Sequence, residues 1–395
     1  MSAGYYGQDQ TERMLRARVQ ERWMDAYAPV RHLDPVLVIT AVLLAGAGMA
    51  MIYSATFPRL TLAGDDPFFF VRKQAIAFGI GLAAMVLMAV IDYRWMRTYS
   101  PLLYLGVLFL LIIVLTPVGT EVNGSRRWIP LGGFNLQPSE VAKLGVIIAI
   151  AALLHEQKGS PGPLAILGTL AIVVLPMGLV FIEPDLGTSI VFVWLTFVLL
   201  LVGGVKGRYL IALAGMGVGA IVMAFRLDFI EEYQLERLTA FLDAGNADLA
   251  QTSAFHTQQS LIAVGSGQFF GKGYRQGTQN SLAYVPENHT DFIFTVVGEE
   301  LGFLGAAVVL ALFTLLIWRG LRIAMLAKDL FGTLLAAGVV GLLVLQVFVN
   351  VGMTIGIMPV TGIPLPFMSY GGTSLIMWMT LVGLLLNVHM RRFGG

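Results

Sequence analysis

The chain repeats one pattern about ten times: an apolar stretch close to the ~20 residues that a helix needs to cross a bilayer, followed by a polar link. Composition points the same way. Hydrophobic residues make up 57% of the 395 positions and charged residues 12%, against a soluble norm near ~25% charged. So few charges cannot clothe a soluble surface. The expectation is an all-α, polytopic membrane protein with about ten transmembrane helices, at roughly 35–55, 73–91, 101–118, 138–154, 163–182, 189–204, 208–225, 292–318, 329–356 and 373–389. A large loop, 226–290, separates helices seven and eight.

The same arithmetic removes several classes of function. A net charge of +1 supplies no basic face for nucleic acid. With no cysteine, disulfides, thiolate catalysis and cysteine-based zinc sites are all absent. The histidines are His32, His155, His256, His289 and His389, and none has the i, i+4 partner of a zinc helix.

The first span follows a polar segment, 1–34, with five arginines. It is too long and too poorly matched to a cleavage site for a removed signal peptide. It reads as a cytoplasmic N-terminal segment ahead of a single transmembrane domain, 35–395. Orientation follows from Lys and Arg in alternate loops. With the N-terminus inside, 15 of the 25 cations lie on the cytoplasmic side and ten outside. Four of those ten sit in the 226–290 loop, which is long enough to be largely exempt from the rule. The bias is then 15 to 6, and both termini are expected in the cytoplasm. The polar chemistry therefore faces outward.

Several constellations carry that chemistry. Glu140 and Lys143 open the fourth span after Pro138, and their spacing places both on one helix face. They form either an ion pair that lets two charges enter the membrane boundary or the lining of a substrate site. Asp185, after Pro184, stands where it can cap the sixth span. Asp291 precedes the eighth span and admits the same cap reading, although no capping box accompanies it. Glu299 and Glu300 lie two turns further in, where adjacent carboxylates must be protonated, paired or wet. The glycine-rich run Gly265 to Gly273 fails as a P-loop, because Ser266 and Gly273 occupy the Gly and Ser/Thr positions. A loop whose backbone and Lys272 approach a phosphate is still compatible with it.

Taken together, these residues resemble a family. Asn123-Gly124-Ser125-Arg126-Arg127-Trp128-Ile129, Gln137-Pro138-Ser139-Glu140 with Lys143, and Pro184-Asp185-Leu186-Gly187-Thr188 are similar to motifs of the SEDS family (shape, elongation, division and sporulation). So are His289-Thr290-Asp291-Phe292, Gly298-Glu299-Glu300-Leu301-Gly302 and Pro364-Leu365-Pro366-Phe367-Met368-Ser369-Tyr370-Gly371-Gly372. The elongation branch fits better than the division branch, through Gly271-Lys272-Gly273 with Gly277-Thr278-Gln279 and the run Pro359 to Pro366. One departure is Glu183, where relatives commonly carry Gln.

The resemblance implies a peptidoglycan glycosyltransferase at the outer face of the bacterial inner membrane. Such an enzyme polymerises lipid II, an undecaprenyl-diphosphate-linked disaccharide pentapeptide, with inversion at the anomeric carbon. Its implied partners are a class B penicillin-binding protein transpeptidase and membrane proteins of the elongation complex. Asp291 matches the family's aspartate and is the expected general base. Lys143, Arg237 and Lys272 are the expected cations for the diphosphate, and Trp128, Glu140, Asp185, Glu299, Glu300 and Ser369 complete the expected substrate site. A divalent cation, Mg or Mn, held by carboxylates is the cofactor this chemistry admits. The competing readings are a lipid II flippase, an ion-coupled transporter and a non-catalytic scaffold for the transpeptidase.

Overall fold

The computed structural model describes residues 32–122, 125–157, 159–226, 253–282, 284–285 and 287–392. Its frame is ten long helices whose ends lie near those of the apolar runs. They are α1 Pro35–Ala63, α2 Phe69–Val90, α4 Ser100–Leu115, α5 Pro138–His155, α6 Pro163–Ile182, α7 Leu186–Val202, α8 Gly207–Arg226, α11 Ile293–Met325, α12 Leu330–Thr354 and α13 Gly372–Met390. Between them fall the short α3 Tyr93–Thr98, the loop helix α9 Ser253–Ser266 and the single turn α10 Thr278–Ser281. Among the described residues, seven helices are long and apolar enough to cross a bilayer, and α4 and α7 are shorter apolar helices. The chain is a polytopic, all-helical membrane protein.

Layering follows from which faces are apolar. Helices α5, α12 and α13 are buried on nearly every side and form the centre, while α6 and α11 turn most of their surface outward. A helix apolar all round is either a core helix or a lipid-facing one, and both kinds occur here. Beside α11 and α9 runs an apolar groove of about 950 Å³, from Val264 and Phe294 to Trp318.

The helix ends show why the boundaries fall where they do. The Asp34 carboxylate accepts the Val36 and Leu37 amides at 3.1 and 3.2 Å, with Pro35 at the first helical position. Helix α1 continues past the expected residue 55 and stops at Gly64, whose φ of 75° suits glycine. At the same end, Arg319 of α11 pairs with Asp34 at 2.5 Å, and Tyr93 donates to Asp329 at 3.1 Å.

Two features depart from the sequence reading. The polar link after α4 is built as a three-stranded antiparallel sheet, β1 Thr120–Val122, β2 Ser125–Leu131 and β3 Phe134–Leu136. Gly132 and Gly133, both at positive φ, make its two-residue turn.

The second departure is in α11. Gly302 breaks the helix with φ 64° and ψ −163°, a region essentially reserved for glycine. The chain before the span repairs the break. Phe303 and Leu304 amides donate to Gln268 and Phe269 carbonyls at 2.9 and 3.1 Å, and Lys272 and Gly273 amides donate to Glu299 and Glu300 carbonyls at 3.0 Å. Irregular backbone at membrane depth survives where protein satisfies it in this way. Gly267 and Gly271 permit the approach, since a Cβ on either would strike the α11 backbone. The glycine-rich run is therefore a docking strip against the helix.

Candidate active site

The polar side chains gather at the bundle end that carries β1–β3 and α9. Helix α5 enters there, and Lys143 Nζ donates to Glu140 Oε1 at 2.6 Å with both side chains buried. The ion pair expected from the spacing is present. The start of α5 is tied to the start of α13, because the Gln137 amide donates to Thr373 Oγ1 at 3.2 Å and that hydroxyl donates to Asn135 O at 2.7 Å.

Asp185 caps α7. Its carboxylate accepts the Thr188 amide at 3.1 Å and the Thr188 hydroxyl at 2.8 Å. Arg127 of β2 braces the preceding turn, with Nε on Glu183 O at 2.9 Å and Nη2 on Pro184 O at 2.5 Å. Trp128 is half-buried on the same strand, in register with Thr120. The Glu183 side chain is 1% exposed, and neither carboxyl oxygen has a hydrogen-bond partner among the described residues. Burial, with Asp185 adding, pushes that carboxyl from 4.5 up to about 8, and Arg127 pulls the other way.

Asp291 is not the helix cap: α11 begins at Ile293, with Phe292 at the cap position. The turn ahead of α11 is latched to the segment leading into α13. Ser369 Oγ donates to Thr290 O at 2.6 Å and accepts the Leu365 amide at 2.8 Å, and the Tyr370 amide donates to His289 O at 2.9 Å. Ser369 is thus occupied by backbone on both sides and acts as a latch. Half-buried Asp291 faces Gly362, where an added Cβ would lie 3.4 Å from its Oδ2. One residue earlier, the Thr361 carbonyl backs onto Gly187 beside Asp185. The two aspartates therefore flank the same dipeptide.

His289 packs between Phe70 and Tyr370, with ring centroids 4.9 and 5.7 Å away. Burial lowers its imidazole to about 4, with Glu287 opposing and Arg59 reinforcing the shift. Arg59, missed in the sequence, lies exposed with its guanidinium 5.7 Å from the Phe70 centroid.

Lys272, Glu299 and Glu300 form a separate knot. Glu299 accepts from Lys272 Nζ at 2.8 Å and from the Gln279 and Asn280 amides at 2.9 and 3.1 Å. Glu300 accepts from the Ser54 hydroxyl at 2.6 Å and the Arg275 amide at 3.1 Å. These three side chains fasten the loop to α11 and α1. Arg237 lies outside the described residues. Among the described residues no group of three His, Cys, Asp or Glu side chains converges on a metal position. The donor set among the described residues does not fit a resident divalent cation.

Comparison with known proteins fixes the family. The model of the cell cycle protein family FtsW/RodA/SpoVE matches residues 35–393. The chain belongs to that family. Stage V sporulation protein E of Bacillus subtilis (strain 168) is 41% identical over 358 residues, covering 90% of this chain and 96% of that protein. Peptidoglycan glycosyltransferase MrdB of Escherichia coli (strain K12) is 37% identical over 361 residues, covering 91% and 94%. A chain from a solved structure described as structural coordination of polymerization and crosslinking by a peptidoglycan synthase complex superposes with a TM-score of 0.77 at 31% identity, covering 92% of this chain and 99% of that one. In this SEDS-family frame, the latched Asp291 turn and the Arg127-braced Asp185 cap share the 361–362 dipeptide, and the Glu140–Lys143 pair opens α5 at the same polar end, the mouth of the bundle.

Proposed function

We infer that this family member is a peptidoglycan glycosyltransferase that polymerises lipid II. The observation that carries the reading is the placement of Asp291: a half-buried carboxylate outside the helix cap, on a turn latched at Thr290 and His289, facing the 361–362 dipeptide that also backs onto Asp185. Such a carboxylate is held ready to take a proton rather than to close a helix. The acceptor sugar hydroxyl attacks the anomeric carbon of the donor, its proton passes to Asp291, and the bond to the lipid diphosphate breaks. One displacement converts the α-linked donor to a β-linked glycan, with no covalent enzyme intermediate.

The leaving diphosphate gathers negative charge that needs a cation nearby. Lys143 is already matched by Glu140, and Lys272 by Glu299. Arg59, exposed beside Phe70, is placed to meet it.

The distribution of charge favours an enzyme over a flippase or an ion-coupled transporter. Among the described residues, the charged and histidine side chains of the ten long helices lie toward their ends, at Arg59, Arg72, Lys73, Glu140, Lys143, Arg226, Glu299 and Glu300 on one side and His155, Arg208, Arg319, Arg322 and His389 on the other. A translocation path would need polar groups through the middle. The charge bias of the loops supports a bacterial inner-membrane protein with the mouth outside and both termini in the cytoplasm. The partner in this reading is a class B penicillin-binding transpeptidase of the elongation complex.

Purified protein reconstituted with its transpeptidase should convert lipid II to glycan polymer on a gel. Asp291→Asn should fall by roughly 10²–10⁴ in rate with its melting temperature unchanged. Parental polymerisation by Asp291→Asn would remove the base assignment. The chain has no cysteine, so Gln10→Cys and Ala250→Cys should label from opposite sides of the membrane; labelling from one side would overturn the orientation.

A further inference from the structure

Toward its end, the buried and apolar α12 carries one polar stripe, Gln346, Asn350 and Thr354, spaced four residues apart and each 0% exposed. Gln346 accepts from the Trp378 indole at 3.2 Å, and the Thr354 carbonyl accepts from the Ser260 hydroxyl at 2.7 Å. Those two join α12 to α13 and to α9. Asn350 does something different. Its Nδ2 donates at 2.8 Å to the carbonyl of Asp291 and at 2.8 Å to the carbonyl of Ile363. One amide thus gathers two main-chain segments, one 59 residues before it and the other 13 residues after it.

The residue that carries the first of those carbonyls is the proposed base. The Asp291 carboxylate faces Gly362, the neighbour of Ile363, so the bridge sets how far apart the two main chains stand. The Ser369 and Tyr370 latches join one extramembrane segment to another, and such segments can shift together. Asn350 is a membrane-span side chain, so its two bonds refer both segments to the rigid centre of the bundle. Stability alone is a poor reason for this residue, because its own Oδ1 is buried with no hydrogen-bond partner among the described residues.

We propose that Asn350 is a positioning residue for glycosyl transfer, holding the Asp291 carboxylate at its working distance from the 359–366 segment. The proposal rests on Asp291 being the base. A carboxylate displaced by about 1 Å can cost on the order of 10² in rate without any change in what the site binds.

The test uses full-length protein with its transpeptidase partner and lipid II, reading kcat, KM and melting temperature. Asn350→Leu should lower kcat by about 10–100-fold with KM within about threefold. Gln346→Leu, one turn away on the same stripe, should lower the melting temperature and leave kcat near the parental value. Asn350→Gln keeps both donors one methylene too far out, and should show the same kcat loss with a parental melting temperature. The decisive arm is Asn350→Leu in an Asp291→Asn background. If Asn350 acts through Asp291, the double variant is no slower than Asp291→Asn alone. Equal losses in both backgrounds overturn the proposal, as does failure of both Asn350 variants to fold. A parental rate for Asp291→Asn alone would sink the base assignment instead, so the two failures are told apart.

Discussion

Lys272 Nζ sits 2.8 Å from Glu299 Oε1, joining a loop cation to a carboxylate two turns inside a membrane span. Glu299 is buried and also holds the amides that begin α10, so it needs the charge it has been given. Lys272→Met should therefore cost about 1–3 kcal/mol of stability, the penalty for a buried acceptor short of a donor. Lys272→Met with Glu299→Gln should recover part of it. The rate per folded molecule should change by no more than about threefold, roughly 0.6 kcal/mol in the barrier. A large fall in kcat at unchanged melting temperature would return Lys272 to the substrate site.

The Glu140–Lys143 pair should show strong coupling. Removing one partner leaves a buried charge alone, which typically costs about 3–5 kcal/mol, whereas an uncharged pair of similar size is tolerated far better. Glu140→Gln, Lys143→Met and the double variant, compared by thermal unfolding in detergent, should be markedly non-additive. Strict additivity would contradict the 2.6 Å contact.

Glu183 predicts a dependence on pH. Its carboxyl is raised from 4.5 to about 8 in the folded protein, so between those values the unfolded chain loses a proton that the folded chain keeps. Stability present below the unfolded value is then lost as pH rises toward about 8, at about 1.4 kcal/mol per unit of displacement. His289, lowered to about 4, acts in the opposite sense and loses stability as pH falls below 6.5. Melting temperatures of Glu183→Gln from about pH 5 to 9 should keep the acid limb and flatten the alkaline one. An alkaline limb identical to the parent's would show that Glu183 is ionised in the folded state.

Gly302→Ala should prevent accumulation of folded protein. Its φ and ψ alone cost an L-residue about 1–3 kcal/mol, and the new Cβ would meet the Gly271 amide nitrogen. Size-exclusion profiles from detergent extracts measure this directly. A monodisperse Gly302→Ala protein at parental yield would mean that the break is not required.

These residues also differ in how far a sequence can reveal them. The spans are legible because the length of an apolar run is itself the physical requirement for crossing a bilayer. Glu140 and Lys143 are legible because their partnership is local, three residues along one helix. Lys272 and Glu299 are not, since they are 27 residues apart and meet through a helix break that apolar run length does not register. Likewise Asn350 is one amide among apolar neighbours, and its partners come from two distant segments. The β1–β3 sheet has a readable cue in Gly132-Gly133 between Leu131 and Phe134, a two-residue hairpin signal. The cue is faint because the outer strands are only three residues long, too short to show an alternating pattern.

The break at Gly302 bears on how such proteins exchange parts. Glu299, Glu300, Phe303 and Leu304 contribute two acceptors and two donors whose counterparts, Gln268, Phe269, Lys272 and Gly273, all lie earlier in the chain. The eighth span is therefore half of a joint. Transplanted alone into a relative, it would carry unmatched backbone groups into lipid unless the recipient loop presented the same strip in the same register. A workable chimera must place its seam ahead of Ser253, so that loop helix, glycine strip and span travel as one inherited piece.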